Sequence, residues 1–364
     1  MVDGVSDFGL LAMKCAELQP PQHGGDPSEF ADKNVAQDML DLATGINPWP
    51  WPFQSPPETC YTRLPYDCPV LQASAAAYYG VSPEHILATA GSQAAIQTIP
   101  ALVPPGRVLL PLHGYEEHRY RWQQAGHELV FFENYRSEFI AVLIVEKKIR
   151  HLVLISPNNP SGVKISAKDI RYWHSLLPAD GLLLVDQAFA DAELDCDLRD
   201  LVSLPGLVIL RSVGKFFGLP GLRLGFVLAP HGILSRLKDK LGPWPVSGSA
   251  QWLGKLALDD RSWQLDMRLR LQQASLRQAK ILTEFLSSYI DRLMISPLFI
   301  SMVMPPDRAK QLQRLCYTVG LSVRVYAYTD IAYMRWGLAG DEDELLRRLQ
   351  SLAKLEIGYV EKGA

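Results

Sequence analysis

The sequence predicts an α/β protein in which helices cover both faces of a mainly parallel central sheet, with a smaller α+β domain beside it. Six short apolar runs recur between residues 107 and 229, several of them ending in a polar residue or a turn. Strands that are apolar along their whole length are buried on both faces, which is typical of parallel sheets. Stretches with helical spacing separate the runs, as crossover helices do. After about residue 230 long amphipathic helices follow, which indicates the second domain.

Each element can be placed along the chain. We expect a leader with a small-domain segment at 1–45, a large domain at 46–230, and a linker helix with the small domain at 231–364. The expected strands of the large sheet are 107–112, 127–133, 151–156, 181–186, 207–212 and 224–229. Helices are expected at 92–102, 166–177, 274–290 and 341–355, and the strands of the small domain at 299–305 and 331–338.

The composition of the chain limits the classes of molecule that we expect it to bind. The chain has 364 residues, a net charge of -3 and no basic run, so it lacks the electrostatic footprint of a protein that binds nucleic acid or an anionic membrane. No stretch of about 18 apolar residues occurs, and we expect neither export nor membrane anchoring. An odd number of cysteines without paired spacing favours reduced thiols in the cytoplasm and no metal site; they are Cys15, Cys60, Cys68, Cys196 and Cys316.

A lysine in apolar surroundings is the first candidate for chemistry. Lys215 comes three residues after a predicted strand and directly before Phe216 and Phe217, which would shield its amine from water. Desolvation lowers the pKa of a lysine and makes it a nucleophile toward carbonyls. Ser212 and Arg223 flank it and suit a bound phosphate. The alternatives are an exposed loop lysine, a turn serine and a surface arginine.

Further candidates lie where other predicted elements begin or end. Ser92 and Gln93 follow Gly91 at the start of a predicted helix, where backbone N–H groups form an anion site. Asn159 and Asp186 follow apolar strands, at the sheet edge where α/β proteins bind ligands, and a carboxylate there can hold a protonated ring nitrogen. Taken singly, Ser92 and Asp186 would be better explained as helix caps, and it is the ordered set of residues that favours a binding site.

This ordered set of residues resembles the fold-type I enzymes of aminotransferase class I and II, which depend on pyridoxal phosphate, over nearly the whole chain. The resemblance implies that residues 46–230 form the cofactor-binding domain. It implies that Lys215 is the Schiff-base lysine, that Asp186 bonds the pyridine nitrogen and that Asn159 bonds the phenolic oxygen of the cofactor. It also makes Tyr115 the aromatic stacked on the ring and Arg335 the partner of the substrate carboxylate, the alternatives being core packing and a surface charge. The implied phosphate site consists of Ser92, Gln93, Ser212 and Arg223.

Two positions depart from that pattern. Many such enzymes have a tyrosine where this chain has Phe189, so tuning of the cofactor would depend more heavily on Asn159. Many also have a tyrosine before a proline that reaches into the neighbouring subunit, where this chain has Leu64 and Pro65. Tyr61 or Tyr66 would then substitute, and the resemblance implies a homodimer in either case.

Within this family the chain is most similar to the threonine-phosphate decarboxylases of cobalamin synthesis. The motifs are HGGD at 23–26, DLATGINPWP at 41–50 and the phenylalanine of DQAF. The resemblance implies that His23 and Asn47 lie near the substrate, with His23 a candidate for its phosphate; a solvent-exposed histidine in a leader is an equal alternative.

The implied reaction is decarboxylation of L-threonine O-3-phosphate, a small phosphorylated amino acid. Two other functions stay open. A histidinol-phosphate aminotransferase uses the same cofactor residues, and a module that binds the cofactor without chemistry would belong to a different class. The presence of Lys215, Asp186 and Arg335 favours an enzyme.

Overall fold

The computed structural model describes residues 20–21, 39–193 and 198–362. Cys15, His23 and Cys196 lie outside these residues, as does most of the predicted leader. The strands are β1 (Leu40–Asp41), β2 (Ile86–Thr89), β3 (Arg107–Pro111), β4 (Glu128–Phe132), β5 (His151–Ile155), β6 (Leu182–Asp186), β7 (Leu207–Ser212), β8 (Gly225–Leu228), β9 (Arg292–Ser296), β10 (Phe299–Met304), β11 (Leu321–Ser322), β12 (Arg324–Ala327) and β13 (Ala332–Gly337).

The helices alternate with these strands in the first part of the chain and lengthen toward its end. They are α1 (Thr59–Thr62), α2 (Pro69–Tyr79), α3 (Gly91–Thr98), α4 (Glu116–Gln124), α5 (Ser137–Glu146), α6 (Ala167–Leu176), α7 (Val213–Phe216), α8 (His231–Leu241), α9 (Gly248–Asp259), α10 (Arg261–Leu286), α11 (Pro306–Thr318) and α12 (Glu342–Lys362). None of the helices in the described residues is long and apolar enough to cross a membrane.

Seven strands form the large sheet in the order β2-β8-β7-β6-β5-β3-β4. The five strands from β7 to β4 are parallel, whereas β8 runs antiparallel to both of its neighbours. The predicted α/β class and all six predicted strands of this sheet are therefore confirmed. The sequence prediction missed β2, which is only four residues long and pairs at the edge.

Alternate residues of the parallel strands pack into two hydrophobic clusters, one on each face of the sheet. In β6, for example, Leu182 and Leu184 belong to one cluster and Leu183 and Val185 to the other. All four side chains are almost fully buried, which explains why the strands are apolar at consecutive positions.

The small domain contains a four-stranded antiparallel sheet in the order β12-β13-β10-β9. The beginning of the described chain joins it, because β1 pairs with β11 and the N–H of Gly337 donates to the carbonyl of Leu42 at 2.7 Å. A Cβ atom on Gly337 would lie 2.1 Å from the carbonyl oxygen of Thr44, so this close approach requires glycine. Residues 40–45 thus pack against the strand that carries Arg335.

Candidate active site

Lys215 lies on α7, the one-turn helix that follows β7. Its ammonium nitrogen is 5.5 Å from the centre of the Phe189 ring. Phe216 and Phe217 are fully buried behind it, as the sequence analysis expected. The lysine therefore projects from the carboxyl end of a central strand into apolar surroundings.

The pKa of Lys215 is lowered from 10.5 to about 8. Burial is the largest cause, and the positive charges of Arg335 and Arg223 lower the pKa further, while the negative charge of Asp186 raises it. Both arginines and the aspartate therefore act on the lysine electrostatically, which brings three of the predicted site residues into one place.

Asp186 ends β6 and is 3% exposed. Its Oδ2 lies 2.9 Å from Nε2 of His118, and its Oδ1 accepts from the N–H of Ala188 at 2.9 Å. Because an ionised carboxylate only accepts, Nε2 of His118 carries the proton. The sequence analysis missed His118, although it stands three residues after Tyr115 and so on the same side of α4.

Asn159 and Arg335 form a direct hydrogen bond. Nη1 of Arg335 donates to Oδ1 of Asn159 at 2.7 Å, and the hydroxyl of Tyr326 donates to the same oxygen at 3.3 Å. Because both contacts come from donors, this end of the amide must be the oxygen. The other end is therefore Nδ2, which can donate to a group in the site. The other end of the guanidinium donates to the carbonyl of Ala43. Tyr326 was not among the predicted residues.

Ser92, Ser212 and Arg223 come from three separate segments and lie close together, in an arrangement that would suit an anion; we call this arrangement the cradle. Ser92 is the second residue of α3, and Ser212 ends β7 opposite Gly225. A Cβ atom on Gly225 would lie 2.4 Å from the backbone nitrogen of Ser92. A Cβ atom on Gly91, whose φ is +72°, would lie 2.7 Å from Nη2 of Arg223. Only glycine at both positions leaves room for N–H groups, hydroxyls and a guanidinium to converge on a phosphate.

Tyr115 and Gln93 stand side by side next to this cradle. The hydroxyl of Tyr115 donates to Oε1 of Gln93 at 3.2 Å, and Nε2 of Gln93 donates to Glu117 at 2.7 Å. Burial raises the pKa of Tyr115 above its usual value, so its hydroxyl stays protonated. Because the Gln93 amide has these two partners, its contact with a phosphate stays a prediction.

Asn47 packs against α7, the helix that carries Lys215. Its Nδ2 donates to the carbonyl of Phe216 at 2.8 Å, its Oδ1 accepts from the N–H of Trp49, and its own N–H donates to the carbonyl of Lys215. These bonds hold residues 45–51 beside α7. The predicted contact of Asn47 with the substrate stays a prediction.

The two departures from the expected pattern are visible in the structure. Phe189 packs edge-to-face on Phe299 at 5.2 Å, and a Cβ atom on Gly45 would lie 2.8 Å from its ring. The three candidates near the expected cross-subunit position are more than half exposed: Tyr61 at 64%, Leu64 at 54% and Tyr66 at 68%.

The site fits pyridoxal phosphate, because it combines a lysine of lowered pKa, a buried carboxylate and an anion cradle that a single Cβ atom would fill. It defines a fold-type I enzyme dependent on that cofactor. The chain belongs to the family of class I and II aminotransferases, whose family model matches residues 57–349. The predicted family and cofactor are confirmed.

Individual relatives indicate which members of this family the chain resembles. The threonine-phosphate decarboxylase of Pseudomonas aeruginosa is 41% identical to this chain over 264 residues, which cover 72% of this chain and 78% of that protein. A threonine-phosphate decarboxylase from Sinorhizobium is 33% identical over 347 residues, covering 93% and 99%. A histidinol-phosphate aminotransferase from Granulibacter bethesdensis is 28% identical over 277 residues, covering 73% and 74%. The predicted resemblance to the threonine-phosphate decarboxylases is thus confirmed.

Solved structures share the fold. The histidinol-phosphate aminotransferase of Sinorhizobium meliloti, in complex with pyridoxal 5'-phosphate, is 19% identical and superposes with a TM-score of 0.75, covering 88% of this chain and 93% of that chain. The predicted fold-type I architecture is confirmed.

Proposed function

We propose that this chain decarboxylates L-threonine O-3-phosphate to (R)-1-aminopropan-2-yl phosphate and CO2 in cobalamin biosynthesis. The relatives named above support the choice of reaction. One observation in the structure supports the substrate class: two arginines face the site from neighbouring strands of the small sheet.

These arginines are Arg335 on β13 and Arg324 on β12, which are direct cross-strand partners. Residues paired in this way lie on the same face of an antiparallel sheet. Their guanidinium carbons stand 5.5 Å and 5.7 Å from the centre of one ring, that of Tyr326. Two guanidinium groups on one face of the sheet could each bind an anion of the same substrate. A substrate with both a carboxylate and a phosphate supplies two anions.

The family resemblance implies the following contacts with the cofactor, and the positions of the residues support them. Asp186, oriented by His118, would hold the protonated ring nitrogen, Nδ2 of Asn159 would donate to the phenolic oxygen, and Tyr115 would cover the ring. The cradle of Ser92, Ser212 and Arg223, with Gln93 beside it, would hold the phosphate, and Lys215 would make the covalent link. When bound, pyridoxal phosphate withdraws electrons from whichever substrate bond at Cα is perpendicular to its ring.

Residues of the chain would then determine which substrate bond at Cα is perpendicular to the cofactor ring. Arg335 would hold the substrate carboxylate and Arg324 its phosphate, with Asn47 and His23 as the further predicted substrate contacts. Anchoring at both ends prevents rotation about the bond between nitrogen and Cα, which keeps the carboxylate out of the ring plane. Lys215, whose pKa is lowered to about 8, would return a proton to Cα after CO2 leaves.

The deciding experiment incubates the enzyme with L-threonine O-3-phosphate and measures CO2 release and keto-acid formation in the same samples. Stoichiometric CO2 without keto acid is expected. The alternative function, a histidinol-phosphate aminotransferase, would appear instead as efficient turnover of histidinol phosphate that requires 2-oxoglutarate. That outcome would overturn the proposed reaction and leave the cofactor site intact.

We also propose a homodimer in the cytoplasm, with residues 46–230 as the cofactor-binding domain. An apolar surface supports the dimer: Tyr66 packs edge-to-face on Trp244 at 6.3 Å beside a groove of about 740 Å³, and Phe53 and Leu64 are more than half exposed. The free thiols of Cys60 and Cys68 fit a reducing compartment. Sedimentation of an active monomer at assay concentrations would refute the dimer.

A further inference from the structure

A buried charged pair lies behind the catalytic lysine. Asp191 is 4% exposed, and its carboxylate accepts from Nη1 of Arg211 at 3.2 Å and from the hydroxyl of Tyr79 at 3.3 Å. The side chain of Arg211 is 11% exposed and also lies 5.0 Å from the centre of the Tyr79 ring. None of these three residues belongs to the proposed cofactor or substrate contacts.

A second arginine joins the same group from the long helix α10. Nε of Arg268 donates to the backbone carbonyl of Asp191 at 2.9 Å, and its Nη2 donates to the hydroxyl of Tyr78 at 2.9 Å. The Arg268 guanidinium also lies 4.9 Å from the centre of the ring of Phe216, the residue next to Lys215. The helix that leads into the small domain is therefore bonded to the segment that contains Asp191.

The position of this pair in the chain is the informative feature. Asp191 comes five residues after Asp186 and two after Phe189, whereas Arg211 directly precedes Ser212 and comes four residues before Lys215. The ion pair thus joins the segment after β6 to the end of β7. Lys215 lies on α7, which directly follows the second of these segments, and its ammonium nitrogen lies 5.5 Å from the centre of the ring of Phe189 in the first.

Burying this pair is costly. Burial raises the pKa of Asp191, which shows that the site disfavours the ionised carboxylate even beside two arginines. Buried ion pairs often contribute no more to stability than apolar side chains of the same size, so stability alone does not explain this one. Such a pair holds two segments in a fixed geometry.

We propose that Asp191, through Arg211 and Arg268, is a positioning residue that sets Phe189 and Asp186 against Lys215. The proposal rests on the proposed function only in taking Lys215 as the reactive amine. It requires no contact between Asp191 and cofactor or substrate. Its measurable consequence is that the environment of the Lys215 amine depends on an ion pair that it does not touch.

The test uses the full-length protein freed of cofactor and measures how acylation of Lys215 by acetic anhydride, followed by mass spectrometry, depends on pH. The variant is Asp191→Asn with Arg211→Gln, which removes both charges and so leaves the net charge unchanged. We expect a midpoint of about 8 in the wild type and a midpoint about one pH unit higher in the variant, because looser packing rehydrates the amine. After reconstitution with pyridoxal phosphate, kcat should fall about tenfold or more.

The matched control is Asp180→Asn with Arg150→Gln, a second aspartate–arginine pair that is partly exposed and distant in sequence from the lysine. Its midpoint should equal that of the wild type. An unchanged midpoint in a folded Asp191/Arg211 variant would overturn the proposal and reduce the pair to a structural role.

If the double variant does not fold, Tyr79→Phe takes its place, because it removes one donor to Asp191 and leaves the ring in the core. It should raise the midpoint in the same direction, and an unchanged midpoint would again overturn the proposal. Failure of the proposed function is separate, since it would appear in the wild type as absence of decarboxylation, whereas the acylation midpoint is measured without cofactor or substrate.

Discussion

The guanidinium of Arg335 donates a hydrogen bond of 2.7 Å to Oδ1 of Asn159, although the two residues are 176 positions apart in the chain. The bond connects the residue proposed to bind the substrate carboxylate with the residue proposed to bind the cofactor's phenolic oxygen. A substrate carboxylate on Arg335 would compete for the same guanidinium. Binding of substrate would therefore change the hydrogen bonding of the Asn159 amide before any bond breaks.

Replacing Lys215 removes the proposed covalent attachment. The Lys215→Ala protein should lose the visible absorbance of the imine and the decarboxylation, because the substitution removes the amine proposed to make the covalent link. Absorbance spectra recorded after excess cofactor has been dialysed away give the measurement. Lys255→Ala, which removes an exposed lysine paired with Asp259 on α9, serves as the control and should behave like the wild type. Wild-type turnover by Lys215→Ala would refute the assignment.

Arg324 is proposed to bind the substrate phosphate. Arg324→Gln should lower kcat/KM for threonine phosphate by a factor of about ten to a hundred, since a charge-assisted hydrogen bond contributes roughly 1.5 to 3 kcal/mol. L-threonine has no phosphate, so the same variant should process it no worse than the wild type does. Arg308→Gln changes an arginine of the small domain that pairs with Asp291 at the surface, and it should leave both substrates unaffected. Equal losses for both substrates would remove Arg324 from the phosphate site.

His118 orients Asp186 and is expected to act through it. His118→Phe keeps the ring volume but loses the donor to Asp186, and we expect about tenfold weaker cofactor binding or activity, as is common for residues that support a ligand-binding group. His118→Asn retains a donor and should recover part of the loss. The measurement is a titration of cofactor-free protein with pyridoxal phosphate. Wild-type affinity in both variants would contradict the role.

His151 makes stability depend on pH. Its Nε2 donates to the carbonyl of Pro104 at 2.9 Å and its Nδ1 accepts from the N–H of Leu182 at 3.1 Å, so the folded protein requires the neutral ring. Burial lowers the pKa of His151 from 6.5 to about 4. The unfolded chain therefore takes up this proton first, and the free energy of unfolding should fall as pH drops from 6.5 to 4.

For each pH unit within that window, His151 should lower the free energy of unfolding by about 1.4 kcal/mol. Urea unfolding between pH 7 and pH 4.5 measures the slope. His151→Gln should flatten it, whereas His174→Gln, at a histidine that bonds Pro205 near the surface, should not. A slope that is the same in His151→Gln and the wild type would contradict the prediction.

Local patterns predicted much of the fold and part of the site. The strands β3 to β8 were predicted because each is apolar along its length. Asn159 and Asp186 were predicted because polar residues at strand ends meet at one edge of a parallel sheet, and Ser212 because it stands three residues before Lys215. The amine of Lys215 was expected to be shielded because Phe216 and Phe217 follow it in the sequence. The resemblance to a family contributed the roles of Tyr115 and Arg335.

The residues that the sequence analysis missed have a common property. His118, Tyr326 and Arg324 stand in segments whose patterns are ordinary for a helix or an edge strand. Arg324 matters because strand register places it opposite Arg335, and the other two matter because of partners far away in the chain. His118 meets Asp186 across 68 positions, and the hydroxyl of Tyr326 meets Asn159 across 167. The local periodicity of a sequence contains no information about contacts between residues so far apart.

The sequence by itself determined the α/β class, the six strands of the large sheet and the apolar surroundings of Lys215, because strand burial and flanking aromatic residues are local properties. Only the tertiary structure decided that Arg324 stands opposite Arg335, that Asp191 bonds Arg211 behind the lysine, and that Asn47 is bound to the backbone of the lysine's helix. These relationships depend on strand register and on packing between segments far apart in the chain. Register is set by which faces the whole core buries, and a single stretch of sequence does not contain that information.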